Sequence, residues 1–127
     1  MTGYEAKITY TSKELTAKER IQLKDTGNAV RLDEATRDGS ILIDPDFYAI
    51  LDVHNEKAKD NKDYTQLLIM DKDGTKYVTG SQAFMDSFQS ICAEMSEYGE
   101  GEPFQISVYR IPSKNYSGKD FLSCSIV

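Results

Sequence analysis

Tyr109, Arg110, Lys114, Tyr116, Lys119 and Phe121 place three aromatic rings and three cations in one short stretch near the carboxyl end of the sequence. Flat rings stack on bases and cations neutralise phosphates, so this combination suits a surface for single-stranded nucleic acid. The expected roles are phosphate contacts for Arg110, Lys114 and Lys119, and stacking surfaces for Tyr109, Tyr116 and Phe121. Tyr116 is the sharpest of these, because it lies between two lysines in a stretch too polar to be core.

Two strands are needed to hold these side chains. Phe104, Ile106, Val108 and Arg110 alternate with Gln105, Ser107, Tyr109 and Ile111. A second alternating run, Phe121, Ser123 and Ser125 beside Leu122, Cys124 and Ile126, follows it. Between them Pro112-Ser113-Lys114-Asn115-Tyr116-Ser117-Gly118-Lys119-Asp120 is rich in turn formers and reads as a solvated hairpin loop.

Other candidate chemistry is thinner. His54 is the single histidine and has neither a nucleophile elbow nor a glycine-rich phosphate loop near it in the sequence. Asp71-Lys72-Asp73-Gly74 starts like a calcium loop but lacks the later ligands and the closing glutamate, so a hairpin turn accounts for it. Glu97, Glu100 and Glu102 fit a solvated helix exit. Cys92 and Cys124 lack metal or redox spacing and read as buried free thiols. No cofactor, metal or catalytic activity is expected.

The 127 residues fit one domain able to bury a core without staples. The net charge of −6 is unevenly spread: residues from Phe104 onward hold three basic side chains and one acidic, whereas the first 103 hold 12 and 20. Screening over about 8 Å lets the nearest charges dominate, so an acidic body with a basic finger can still take a polyanion. No apolar run approaches the roughly 20 residues of a membrane span, and the first residues lack a signal-peptide core. The expectation is a cytoplasmic protein without a membrane partner.

Along the chain, Tyr4, Ala6, Ile8 and Tyr10 fall on one side of a first strand. Thr11 with Glu14 and Thr16 with Glu19 both match a capping box, so a helix could begin at either place; the second is favoured, with a helix over Ala17 to Lys24 and Ile21 inward, although a strand facing Ala29 to Leu32 also fits. Ile41-Leu42-Ile43 is stopped by Asp44-Pro45-Asp46. Phe47 to Val53 reads as a buried strand, and the mixed charges of residues 54–63 as an exposed, mobile connection. Tyr64 to Met70 and Lys76 to Thr79 flank a tight Asp73-Gly74 turn. Ser81 caps a helix that buries Phe84, Phe88, Ile91 and Met95 on one face, and Tyr98 to Pro103 ends it. Of Tyr48, Tyr64, Tyr77 and Tyr109, half should face the core and half could form an exposed platform.

A helix after the third strand and before the last two is the order of an OB-fold. The expected class is mainly β with α: an OB-fold-like five-stranded barrel over residues 46–127, with one helix between strands 3 and 4, and residues 1–45 as an N-terminal extension.

Residues 48–57, Asp63-Tyr64, Tyr77-Val78-Thr79-Gly80-Ser81 with Phe84, and residues 112–121 together resemble small single-stranded-DNA-binding proteins encoded by bacteriophages and integrated elements of Gram-positive bacteria. The resemblance runs from about Thr11 onward. It implies an OB-like core that coats DNA exposed during phage or element replication and assists recombination, with little sequence preference. Its partners would be single-stranded DNA, a second copy of the chain, and a host or phage replication protein. The acidic body supports a different reading, a phage interaction module that imitates DNA and inhibits a host defence or replication protein. A structural or assembly subunit is a third.

Overall fold

The computed structural model describes residues 4–25, 28–55, 63–99, 101–112 and 120–127. The chain orders β1 (Tyr4–Thr11), α1 (Ala17–Lys24), β2 (Val30–Arg31), α2 (Leu32–Ala35), β3 (Ile41–Ile43), β4 (Pro45–Asn55), β5 (Asp63–Asp71), β6 (Lys76–Thr79), α3 (Gln82–Tyr98), β7 (Ile106–Pro112) and β8 (Asp120–Ile126). It is mixed α+β, and its strands form two sheets, β1-β4-β5-β6-β2 and β3-β7-β8. The expected five-stranded barrel does not form. Ile41–Ile43, a segment assigned to the extension, pairs with β7, so the final hairpin completes a separate sheet. Two compact units result, residues 1–30 with 46–80, and residues 31–45 with 81–127.

In the first unit β1 and β4 pair antiparallel, with Ala6 opposite Val53 and Ile8 opposite Leu51. The expected phase of β1 fails at its end. An irregularity between Ile8 and Tyr10 inserts one residue, as a bulge does, and places Tyr10 opposite Ile50 with its ring 49% exposed. Phe47, Ala49, Leu51 and Val53 line one face of β4 and cluster with Ile8, Leu68, Val78 and Leu23 of α1. Pro45 opens β4, the position where its missing N–H costs no ladder bond.

Helix α1 starts at the second of the two capping boxes, Thr16 with Glu19. Thr16 Oγ1 accepts from the Glu19 N–H at 3.2 Å, and Glu19 accepts from the Thr16 N–H at 3.0 Å. The buried anchor is Leu23, and Ile21, expected inward, is 70% exposed. At the other end of α1, Lys76 Nζ donates to the carbonyls of Gln22 and Asp25, both at 2.7 Å. A cation on the last carbonyls of a helix satisfies orphan acceptors and opposes the negative end of the dipole. Lys76 is itself buried, so Lys76→Met should lower stability by about 1.5–3 kcal/mol through the lost charged bonds. A reduced urea midpoint with an unchanged m-value would report it.

The β5–β6 turn follows the sequence reading. Asp71 Oδ1 accepts from the Asp73 N–H, Asp73 Oδ1 accepts from the Thr75 N–H, and Gly74 takes φ +93°, a conformation that favours glycine. The Thr75 N–H holds the Asp73 carboxyl below its ordinary value; that contribution to the turn is present at neutral pH and is lost as pH falls through the lowered value.

In the second unit Ser81 Oγ accepts from the Phe84 N–H at 3.2 Å and starts α3. Phe84 and Phe88 are fully buried, with ring centroids 6.0 Å apart, and Met85 joins them; Ile91 and Met95 are half-buried. Helix α3 packs against β8. Cys92 is half-buried and Cys124 buried, both as free thiols, and burial pushes them up to about 12 and about 11. Both therefore stay protonated at neutral pH and are poor nucleophiles.

Candidate functional site

The β7–β8 register decides which of the candidate side chains share a surface. Tyr109 lies opposite Ser123, Arg110 opposite Leu122, and Ile111 opposite Phe121, while β3 sets Leu42 beside Ser107. Directly opposed residues share a face. One face of the three-stranded sheet thus carries Ile41, Ile43, Ile106, Val108, Leu122 and Cys124, mostly buried, with the exposed Arg110 and Ile126 toward its ends. The other carries Leu42, Ser107, Tyr109, Ile111, Phe121, Ser123 and Ser125, all half-buried or exposed.

Among the described residues this second face is uncharged and open. Phe121 is 43% exposed and Leu42 57%. Tyr109 is half-buried, and its hydroxyl shares a 2.5 Å hydrogen bond with Ser125 Oγ, which fixes the ring along the sheet. Phe121 opposes Ile111, two positions along β7 from Tyr109, within the diagonal reach of aromatic side chains. Two expected stacking rings are therefore brought together on one surface.

Arg110 is not brought to them. Its side chain belongs to the opposite face, where Nε donates to Thr36 Oγ1 at 3.1 Å and Nη2 donates to the Asp33 carbonyl. Thr36 Oγ1 in turn donates to the Leu32 carbonyl at 2.8 Å. The guanidinium thereby fastens the short helix α2 to β7. Lys114, Tyr116 and Lys119 lie in the connection between β7 and β8, outside the described residues.

Two further aromatic contacts, on opposite faces of β4, escaped the sequence reading. The Tyr10 and Tyr48 rings sit 5.6 Å apart at 39°, and Lys13 Nζ lies 4.3 Å over the Phe47 ring while pairing with Glu19 at 3.6 Å. The signal was hidden by the irregularity in β1, which rotates Tyr10 away from the side shared by Ala6 and Ile8.

An open cavity of about 420 Å³ is lined by Lys7, Asp52, Val53, His54, Asp63, Tyr64 and Thr65. His54 Nδ1 and Asp63 Oδ1 are 2.6 Å apart, an imidazole oriented by a carboxylate. Such a pair activates a nucleophile only when one is within reach. The described residues lining the cavity include no serine or cysteine, and the Thr65 hydroxyl donates to Asp52 at 3.4 Å. Residues 56–62 of the connection that was read as exposed lie outside the described residues. Among the described residues no cluster of three or more His, Cys, Asp or Glu could hold a metal ion, and no helix is long and apolar enough to cross a membrane.

Compared with known proteins, residues 6–127 match the family model described as phage single-stranded DNA-binding protein. No curated protein and no solved structure matches the chain.

Proposed function

The chain belongs to the phage single-stranded DNA-binding protein family, and from that membership we propose that it binds and covers single-stranded DNA during the replication or recombination of a phage or mobile-element genome. The observation that supports a location for binding is the placement of Tyr109 and Phe121 on one sheet face whose described residues are uncharged and half-buried or exposed. Each ring that stacks on a base contributes roughly 1–3 kcal/mol, and every base offers a π face, so the mode tolerates sequence. The described residues of this face include no carboxylate, which spares the phosphates like-charge repulsion.

Lys114 and Lys119 supply the phosphate contacts in this reading, and Tyr116 a third stacking ring. They flank the sheet in sequence, entering from Ile111-Pro112 and leaving through Asp120-Phe121. Arg110 can add a phosphate contact only with the part of its guanidinium not spent on Thr36 and Asp33. The protein acts as a binder rather than an enzyme, inside the host cell.

Alanine at both Lys114 and Lys119 is expected to weaken binding to single-stranded oligonucleotides and to flatten the dependence of log K on log salt by about one to two ions, following counterion release for single strands. Fluorescence anisotropy over a salt series measures both. Unchanged affinity and slope would remove these lysines from the site. Competition with unlabelled duplex in a retardation assay separates this reading from the DNA-imitating alternative, in which no strand is retarded even at low salt.

A further inference from the structure

Among the described residues the two sheets present four edges, and three carry features that discourage pairing with another chain. The sequence of β1 contains Glu5 and Lys7 and the strand is irregular between Ile8 and Tyr10; β2 is two residues long; β3 is three residues long and runs into Asp44-Pro45. Charges, bulges, shortness and proline are the usual protections of an edge strand. The fourth edge, β8, has none of them beyond its first residue. Phe121-Leu122-Ser123-Cys124-Ser125-Ile126-Val127 has no charge and no proline, and its register with β7 is unbroken.

The same seven residues read alike from both ends: two apolar residues, Ser, Cys, Ser, two apolar residues. An antiparallel strand pairs with a copy of itself about a two-fold axis, so such a sequence is self-complementary. With the axis at Cys124, Cys124 opposes its counterpart, Ser123 opposes Ser125, Leu122 opposes Ile126, and Phe121 opposes Val127. The backbone agrees with this register. The Val127 N–H donates to the Gln105 carbonyl at 3.0 Å, so odd-numbered residues of β8 turn their backbone groups toward β7. The N–H and C=O groups of Leu122, Cys124 and Ile126 therefore point away from β7, and these are the residues that the axis at Cys124 sets opposite one another.

From this we infer that the partner of β8 is a second copy of the chain, paired antiparallel about Cys124 to join two three-stranded sheets into one of six strands. Each copy carries a net charge of −6, so two copies approach best through an uncharged strip. The apolar side chains at the two ends of this strip are exposed, Phe121 43%, Ile126 49% and Val127 71%, while Leu122 and Cys124 near the axis are buried and offer their outward backbone groups. The inference is independent of the nucleic-acid reading.

Sedimentation velocity on the full chain without nucleic acid tests it. The wild-type chain is expected to form a reversible dimer in the micromolar range, and Ser123→Lys with Ser125→Lys to sediment as a monomer, because like charges then face each other twice across the axis. Ser123→Lys with Ser125→Glu should restore the dimer, since position 123 of one copy opposes position 125 of the other. Both variants lose the Tyr109–Ser125 hydrogen bond, so that loss cannot explain a difference between them. A wild-type monomer throughout the range, a double-lysine variant that associates as tightly as wild type, or failure of the Lys/Glu combination to restore association would overturn the pairing.

Discussion

Alanine at both Tyr109 and Phe121 is expected to lower the affinity for a single-stranded oligonucleotide by about 30-fold or more, the loss of two stacking contacts at the low end of their usual worth. Neither ring belongs to the buried core, so the urea midpoint should move much less than the affinity. Tyr109→Phe keeps the ring and removes only the bond to Ser125, and should retain most of the binding. Arg110→Ala is the contrasting change. It detaches α2 from β7 on the opposite face and should act on stability more than on affinity. Titrations of all the variants with the same labelled oligonucleotide separate ring, hydroxyl and brace.

The largest stability effect is expected from Phe88→Ala. Phe88 is fully buried and lies against the parallel ring of Phe84. Truncating a buried phenylalanine removes its transfer free energy and leaves a cavity, together about 3–5 kcal/mol. Against a typical total of about 5–15 kcal/mol this leaves the fold marginal. Because α3 packs on β8, the inner support of the sheet bearing Tyr109 and Phe121 is lost with it. Chemical denaturation followed by circular dichroism reads the loss. A change of less than 1 kcal/mol would mean that the α3 face does not carry the packing assigned to it.

Local signals were legible in the sequence, and long-range pairing was not. Thr16 with Glu19, Ser81, Asp73-Gly74 and the alternation on either side of residues 112–120 each specify a cap, a turn or a strand within a few residues, and each appears in the fold. The partner of β7 lies more than 60 residues earlier, in Ile41–Ile43. Three apolar residues ahead of Asp44-Pro45 give no indication of the sheet they will join, and the barrel expectation failed on that pairing. Periodicity also misassigned Tyr10, because one inserted residue reverses the phase of everything after it. Ile21 and Leu23 are two apolar choices on a helix of eight residues, too short for the sequence alone to orient.

The candidate site divides along the same line. The strands and the identity of the rings followed from alternation, which already set Tyr109 and Arg110 on opposite sides of β7. What alternation could not supply was the partner of each side: Thr36 and the Asp33 carbonyl for Arg110, Ser125 for Tyr109. Grouping the residues by nearness in sequence joined side chains that the pleat separates.

The central claim is that single-stranded DNA lies on the outer face of the β3-β7-β8 sheet. Ultraviolet crosslinking of the full chain to a single-stranded oligonucleotide, followed by mass spectrometric location of the adducts, tests it directly. Adducts on Tyr109 and Phe121, with Tyr116 beside them, are the expected result. Adducts confined to Tyr10 and Tyr48, or to the surroundings of His54 and Tyr64, would place the strand elsewhere and contradict the account.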